Sequence, residues 1–169
     1  MASLKSEFEK FYENNFDKVY RFVYFRCQDK ELAEDLVSEV FMKVLEHFKD
    51  YDESKSRSAW VMTITRNHLA NYWRDKKNTL SLEKMSEDDE SGDNDAKWLK
   101  SALFAAEKHS NNNMVYELLA KISSEEAEIV TLHYIFGYSY AEIAEMNNST
   151  EGAIKVASHR IIKKMQSLI

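Results

Sequence analysis

The sequence predicts an all-α protein made of two small helical domains joined by an acidic linker, and three observations carry that expectation. The chain of 169 residues has no proline and three glycines, where average usage gives roughly 20 of the two together. The turns of a multi-stranded β-fold lean on those residues. Apolar residues recur at three- and four-residue spacing in several segments, the period of an amphipathic helix, and capping side chains stand where several of those stripes begin. No apolar run approaches the roughly 18 residues of a membrane span, and the opening MASLKSEFEKFYENN lacks the basic-then-apolar pattern of a signal peptide. The single Cys27 can form neither an internal disulfide nor a cysteine-based metal site. A cytoplasmic protein with no membrane insertion, no metal and no cofactor is expected.

The first domain is read over residues 4–78. Phe8, Phe11, Tyr12, Val19, Phe22 and Val23 mark a helix over residues 4–27. Asp29 is placed to cap a second, whose stripe is Leu32, Leu36, Val37, Val40, Phe41, Val44, Leu45 and Phe48. After the polar break KDYDESKSRS, a third helix is expected from about Ser58 to Lys77. Residues 79–112 form the linker. Its TLSLEKMSEDDESGDND stretch cannot bury enough apolar surface to offset the entropy of ordering, and AKWLKSALFAAEKH suits a short helix.

The second domain is read over residues 113–169 as four short helices. Val115, Leu118, Leu119 and Ile122 mark the first, and Ile129, Val130, Leu132 and Ile135 the second, opened by the capping box of Ser123 and Glu126. Gly137 stands where a helix end wants a left-handed residue. Ser139 with Glu142 opens the third, and the fourth runs from about Thr150 with Ile154, Ile161, Ile162 and Met165 inward.

The formal charge of −6 argues at first against nucleic acid as a partner, but the charge is segregated. Residues 1–53 hold eight Lys/Arg against thirteen Asp/Glu, and residues 83–95 hold seven acids against one lysine. Residues 54–77 hold six basic residues against Asp75 alone, and the last sixteen residues hold Lys155, Arg160, Lys163 and Lys164 with no acid. Binding responds to local field more than to total charge.

On the third helix Trp60, Val61, Ile64, His68 and Tyr72 share one side, while Arg66, Trp73, Arg74 and Lys77 share the other. Guanidinium and ammonium groups neutralise phosphates and an indole offers a stacking plane for an unpaired base. This face is therefore either a nucleic-acid surface or an ordinary exposed basic helix. Trp60 and His68 are expected to be packed. YSYAEIAEMNNSTEGAIKVASHRII has the layout of a helix-turn-helix. Thr150 would cap its second helix, with Lys155, Ser158, His159 and Arg160 projecting toward a groove, and a plain helical hairpin is the alternative.

EDLVSEVFMKVLEHF, SAWVMTITRNHLANYWRDKK and YSYAEIAEMNNSTEGAIKVASHRIIKKM, in that order, closely resemble RNA polymerase sigma factors, in the two-domain form of the extracytoplasmic-function group. The resemblance covers roughly residues 5–77 and 114–169. It implies that Asp35, Ser38 and Glu39 grip the clamp helices of the largest subunit of core RNA polymerase, with Ser38 standing where the family has glutamine. It also implies that the loop Asp52–Ser58 and the third helix open promoter DNA and capture a flipped minus-ten base, with Ser56, Arg57, Ser58, Arg66, Asn67 and Arg74 near that strand, alongside Trp73 and Lys77. The minus-thirty-five duplex would be read by Lys155, Val156, His159 and Arg160, where Val156 and Ala157 depart from the family's Lys-Ser-Arg. An anti-sigma factor is an implied partner. A stand-alone helix-turn-helix regulator is the second reading, leaving the third helix and the Asp35/Glu39 pair unexplained. An enzyme is the third, and the five scattered histidines show no ligand spacing.

Overall fold

A computed structural model describes residues 3–83 and 113–169, and every element among them is helical. Helices α1 (Leu4–Cys27), α2 (Lys30–His47) and α3 (Arg57–Glu83) form the N-terminal domain, with a 3-10 turn at Phe48–Asp50. Helices α4 (Asn113–Ala120), α5 (Ser124–Val130), α6 (Tyr140–Met146) and α7 (Glu151–Gln166) form the C-terminal one. A π-helical stretch, Thr131–Ile135, follows α5.

Local chemistry sets the boundaries. Ser3, Asp29 and Thr150 accept hydrogen bonds from the amides of Ser6, Leu32 and Ala153, satisfying first-turn donors of α1, α2 and α7. Both expected capping boxes are formed, Ser123 with Glu126 and Ser139 with Glu142. Gly137 adopts φ 72°, which a side chain would strain.

Two apolar clusters hold the helices. The smaller joins Leu118, Leu119, Ile122, Ala127 and Val130 to Ile161 and Met165 of α7. The larger begins in the expected stripes of α1 and α2 but does not stop at the domain boundary: Leu132, Phe136, Tyr138, Ile143, Ala144, Met146 and Ile154 belong to it. The two domains thus share one continuous core.

Several expectations shift. Helix α3 begins one residue earlier and runs six residues beyond Lys77. Its fully buried positions are Ala59, Val61, Met62, Thr65 and Leu69, while Trp60, Ile64 and Tyr72 pack half-buried at the edge. A single stripe fails here because α3 is covered from two directions, by α1 and α2 and by α6. Leu45, read as core, is 52% exposed beside Met42, since α1 meets α2 through Phe41 (Tyr12–Phe41 rings 4.7 Å apart) and leaves Leu45 uncovered. Ile135 is 38% exposed and Phe136 is buried instead, because the π-stretch advances the register past the 3.6-residue stripe. The short helix expected around Trp98 to Ala106 lies outside the described residues.

Candidate nucleic-acid interface

Three faces carry the side chains singled out by sequence. The first is the outer face of α2, where Asp35, Ser38 and Glu39 are all exposed. The Ser38 hydroxyl donates to the Glu34 carbonyl at 2.9 Å, so its proton is committed to its own helix and it faces outward as an acceptor. Glu39 meets His68 Nε2 of α3 at 2.6 Å. The histidine is packed as expected, its side chain 11% exposed against 55% for Glu39, which leaves most of that carboxylate in solvent. Met42 adds an apolar patch beside these acids at 65% exposure, a feature hidden in the sequence because Met42 fits no stripe.

The second face is the loop before α3 and that helix's basic side. Asp52 accepts from both the hydroxyl and the amide of Ser54, at 2.7 and 3.0 Å, and these bonds hold its carboxyl below the usual range. The Tyr51 hydroxyl donates to the Lys55 carbonyl, closing the loop, and the Arg57 guanidinium lies 5.6 Å from the Tyr51 ring centroid. Ser56 is the N-cap of α3, accepting from the Ala59 amide at 3.2 Å. Arg57, Asn67, Arg74 and Lys77 are exposed, as a nucleic-acid surface requires.

Ser56, Ser58, Arg66 and Trp73 are half-buried instead. Arg66, expected on an open face, donates through Nε and Nη2 to the two oxygens of Glu128 at 2.7 and 2.9 Å. It also donates to the Met146 carbonyl at 3.3 Å and to Asn147 Oδ1 at 3.1 Å. Trp73 is not a free stacking plane: it packs against the core edge and crosses the Tyr72 ring at 5.1 Å. With Arg26, Arg66, Asn67, Glu128 and Met146 it lines a cavity of about 180 Å³ between the domains.

The third face is α7. Lys155, Val156, His159 and Arg160 all stand exposed, and Thr150 caps the helix start. Ser158, expected to project toward a groove, is fully buried. Its hydroxyl sits 3.4 Å from the Tyr140 hydroxyl, where α6 crosses α7, one residue round the helix from the exposed side. Val156 at 52% exposure offers an apolar contact between the cations.

Among the described residues no group of three or more His, Cys, Asp or Glu side chains is placed to hold a metal ion, and no helix is long and apolar enough to cross a membrane.

Two family models match in series: Sigma-70 region 2 over residues 11–79 and Sigma-70, region 4 over residues 112–165. The chain belongs to the sigma-70 family. Relatives include the ECF RNA polymerase sigma factor BldN of Streptomyces coelicolor, 28% identical over 96% of this chain and 60% of its own length. The ECF RNA polymerase sigma factor SigX of Bacillus subtilis is 26% identical over 96% of this chain and 84% of its own length. The chain thus spans less than two thirds of BldN but most of SigX. The fold is shared with the sigma factor RpoE of Bartonella quintana, solved in complex with the anti-sigma factor NepR, at TM-score 0.65 and 19% identity over 96% of both chains. The first and second faces fall within the region 2 match and the third within the region 4 match of this sigma-70 chain.

Proposed function

We propose that the chain is a transcription initiation factor that binds core RNA polymerase and directs it to specific promoters, with no catalytic step of its own. The observation that carries this is the serial match to sigma-70 regions 2 and 4, with an exposed acidic face on the first and an exposed basic helix on the second.

Asp35, Ser38 and Glu39 contact the clamp of the polymerase's largest subunit, with Met42 and Leu45 as apolar neighbours. Two carboxylates next to an apolar patch suit a basic partner helix, since charge complementarity steers the encounter and apolar burial retains it. In the domain at residues 4–78, Arg57, Asn67, Arg74 and Lys77 hold the opened minus-ten strand, joined by Ser56, Ser58, Arg66 and Trp73 once these are released. Flipping a base costs a few kcal/mol, and stacking in a pocket returns about 1–3 kcal/mol. In the domain at residues 113–169, Lys155, Val156, His159 and Arg160 read the minus-thirty-five duplex. The protein works in the cytoplasm, and its regulator is an anti-sigma factor of the kind bound to the RpoE relative.

Pull-down of core polymerase tests the clamp assignment. Asp35→Ala combined with Glu39→Ala is expected to weaken capture, with unchanged far-UV circular dichroism. Capture equal to wild type would remove the α2 face from the contact.

A further inference from the structure

On the side turned to α2, helix α3 carries a histidine that the strand-holding residues do not include. His68 lies one turn after Ile64 and one turn before Tyr72, and its side chain is 11% exposed. Its Nε2 stands 2.6 Å from Glu39 Oε2 on α2, while Nδ1 is enclosed with no hydrogen-bond partner. An ionised carboxylate only accepts, so Nε2 carries the proton and donates it to Glu39. A second proton on Nδ1 would bury a donor with nothing to receive it. The imidazole is therefore the neutral Nε2–H tautomer. It holds Glu39 without cancelling its charge, as the permanent cation of a lysine or arginine would.

The other half of the pair is open to an outside partner. The Glu39 side chain is 55% exposed, and an ionised carboxylate has about four acceptor sites, of which His68 occupies one. Asp35 stands one turn earlier and Met42 three residues later on the same exposed face. The anchor is fixed from behind: Thr65 and Leu69, flanking His68 on α3, are fully buried, and α2 packs along α3. A free glutamate loses rotamer freedom when an interface fixes it. One already held by a packed neighbour loses less.

We infer that His68 is a positioning residue for the polymerase contact, a buried neutral donor that sets the Glu39 carboxylate for a cationic side chain of the clamp and leaves its negative charge intact. The inference rests on the proposed assignment of Glu39 to the clamp and deepens it. His68 touches no partner; it acts through Glu39.

The test measures the affinity of purified core polymerase for the immobilised full chain, at about pH 8, where an ordinary histidine is neutral. His68→Leu keeps apolar bulk and removes the donor. His68→Asn puts an amide donor at the Nδ1 position, short of Glu39, whereas His68→Gln puts one at the Nε2 position. Affinity is expected to fall roughly 2- to 10-fold in His68→Leu and His68→Asn, the cost of ordering one long side chain at an interface. It is expected to return to near wild type in His68→Gln, a rescue that a merely structural role would not give. His68→Leu is expected to unfold at no lower urea concentration than wild type, because it removes a buried nitrogen that has no partner. In a Glu39→Ala background, His68→Leu is expected to cause no further loss of affinity. Equal losses from His68→Leu with and without the Glu39 carboxylate overturn the positioning role alone, as does wild-type affinity in His68→Leu while Glu39→Ala weakens binding. Wild-type affinity in Glu39→Ala overturns the clamp assignment of Glu39 and the positioning role with it.

Discussion

Arg66 and Tyr138 show how the surroundings of a residue decide what its type can do. Arg66 is a cation at a position suited to phosphate, yet its guanidinium is held by a carboxylate 62 positions along the chain. Tyr138 carries a phenol that burial pushes up to about 12, against a smaller lowering by the Ser58 hydroxyl. Above its ordinary value of 10.0, the unfolded chain has lost the phenolic proton while the folded one keeps it. Stability from this group is therefore full below that value and declines as pH rises toward 12. Tyr138→Phe keeps the ring and removes the ionisable group, so urea unfolding should lose less stability between pH 9.5 and 11 than wild type, by about 1 kcal/mol for each full unit of pH above the ordinary value. Equal pH slopes would contradict burial of the phenol at the domain junction.

The helix ends were legible in the sequence because caps are local: Asp29, Ser123, Ser139 and Thr150 stand three residues from the amides they bind. The stripes of α1 and α2 are legible apart from Tyr12 and Leu45, which stand exposed, because each helix buries chiefly one side, whereas α3 and the continuation of α5 depart from a single stripe. A helix covered from two directions has no single stripe, and a π-stretch shifts the register of whatever follows. The exposed cations of α7 were found by sequence, while Ser158 was placed on the wrong side of the helix; nothing in a spacing count marks the Tyr140 contact that encloses it. Replacing Lys155 and Arg160 by alanine is expected to weaken binding to minus-thirty-five duplex and to shallow the slope of log affinity against log salt by about 0.9 for each phosphate contact removed. Titrations at several salt concentrations measure that slope, and an unchanged slope would place the phosphate contacts elsewhere.

Across the whole molecule, the two-domain division followed from the acidic break and the positions of the basic segments. The contact between the domains did not, since Arg66–Glu128 and Ser56–Glu142 join positions far apart in the chain, and periodicity reports only neighbours. Segregated charge explains how an acidic chain of net −6 can present basic faces to the DNA proposed as its partner. Its basic segments make the candidate strand and duplex faces. The remaining face, the α2 acids with Met42, stays exposed.

In-vitro transcription, with purified core polymerase and this chain on a panel of candidate promoters, tests directly whether the chain directs the polymerase to promoters. Transcripts are expected from a subset of promoters only when the chain is added, and are expected to be lost when Asp35 and Glu39 are both alanine. No transcript from any promoter, with duplex DNA still bound by the chain alone, would contradict that role and identify a stand-alone DNA-binding regulator instead.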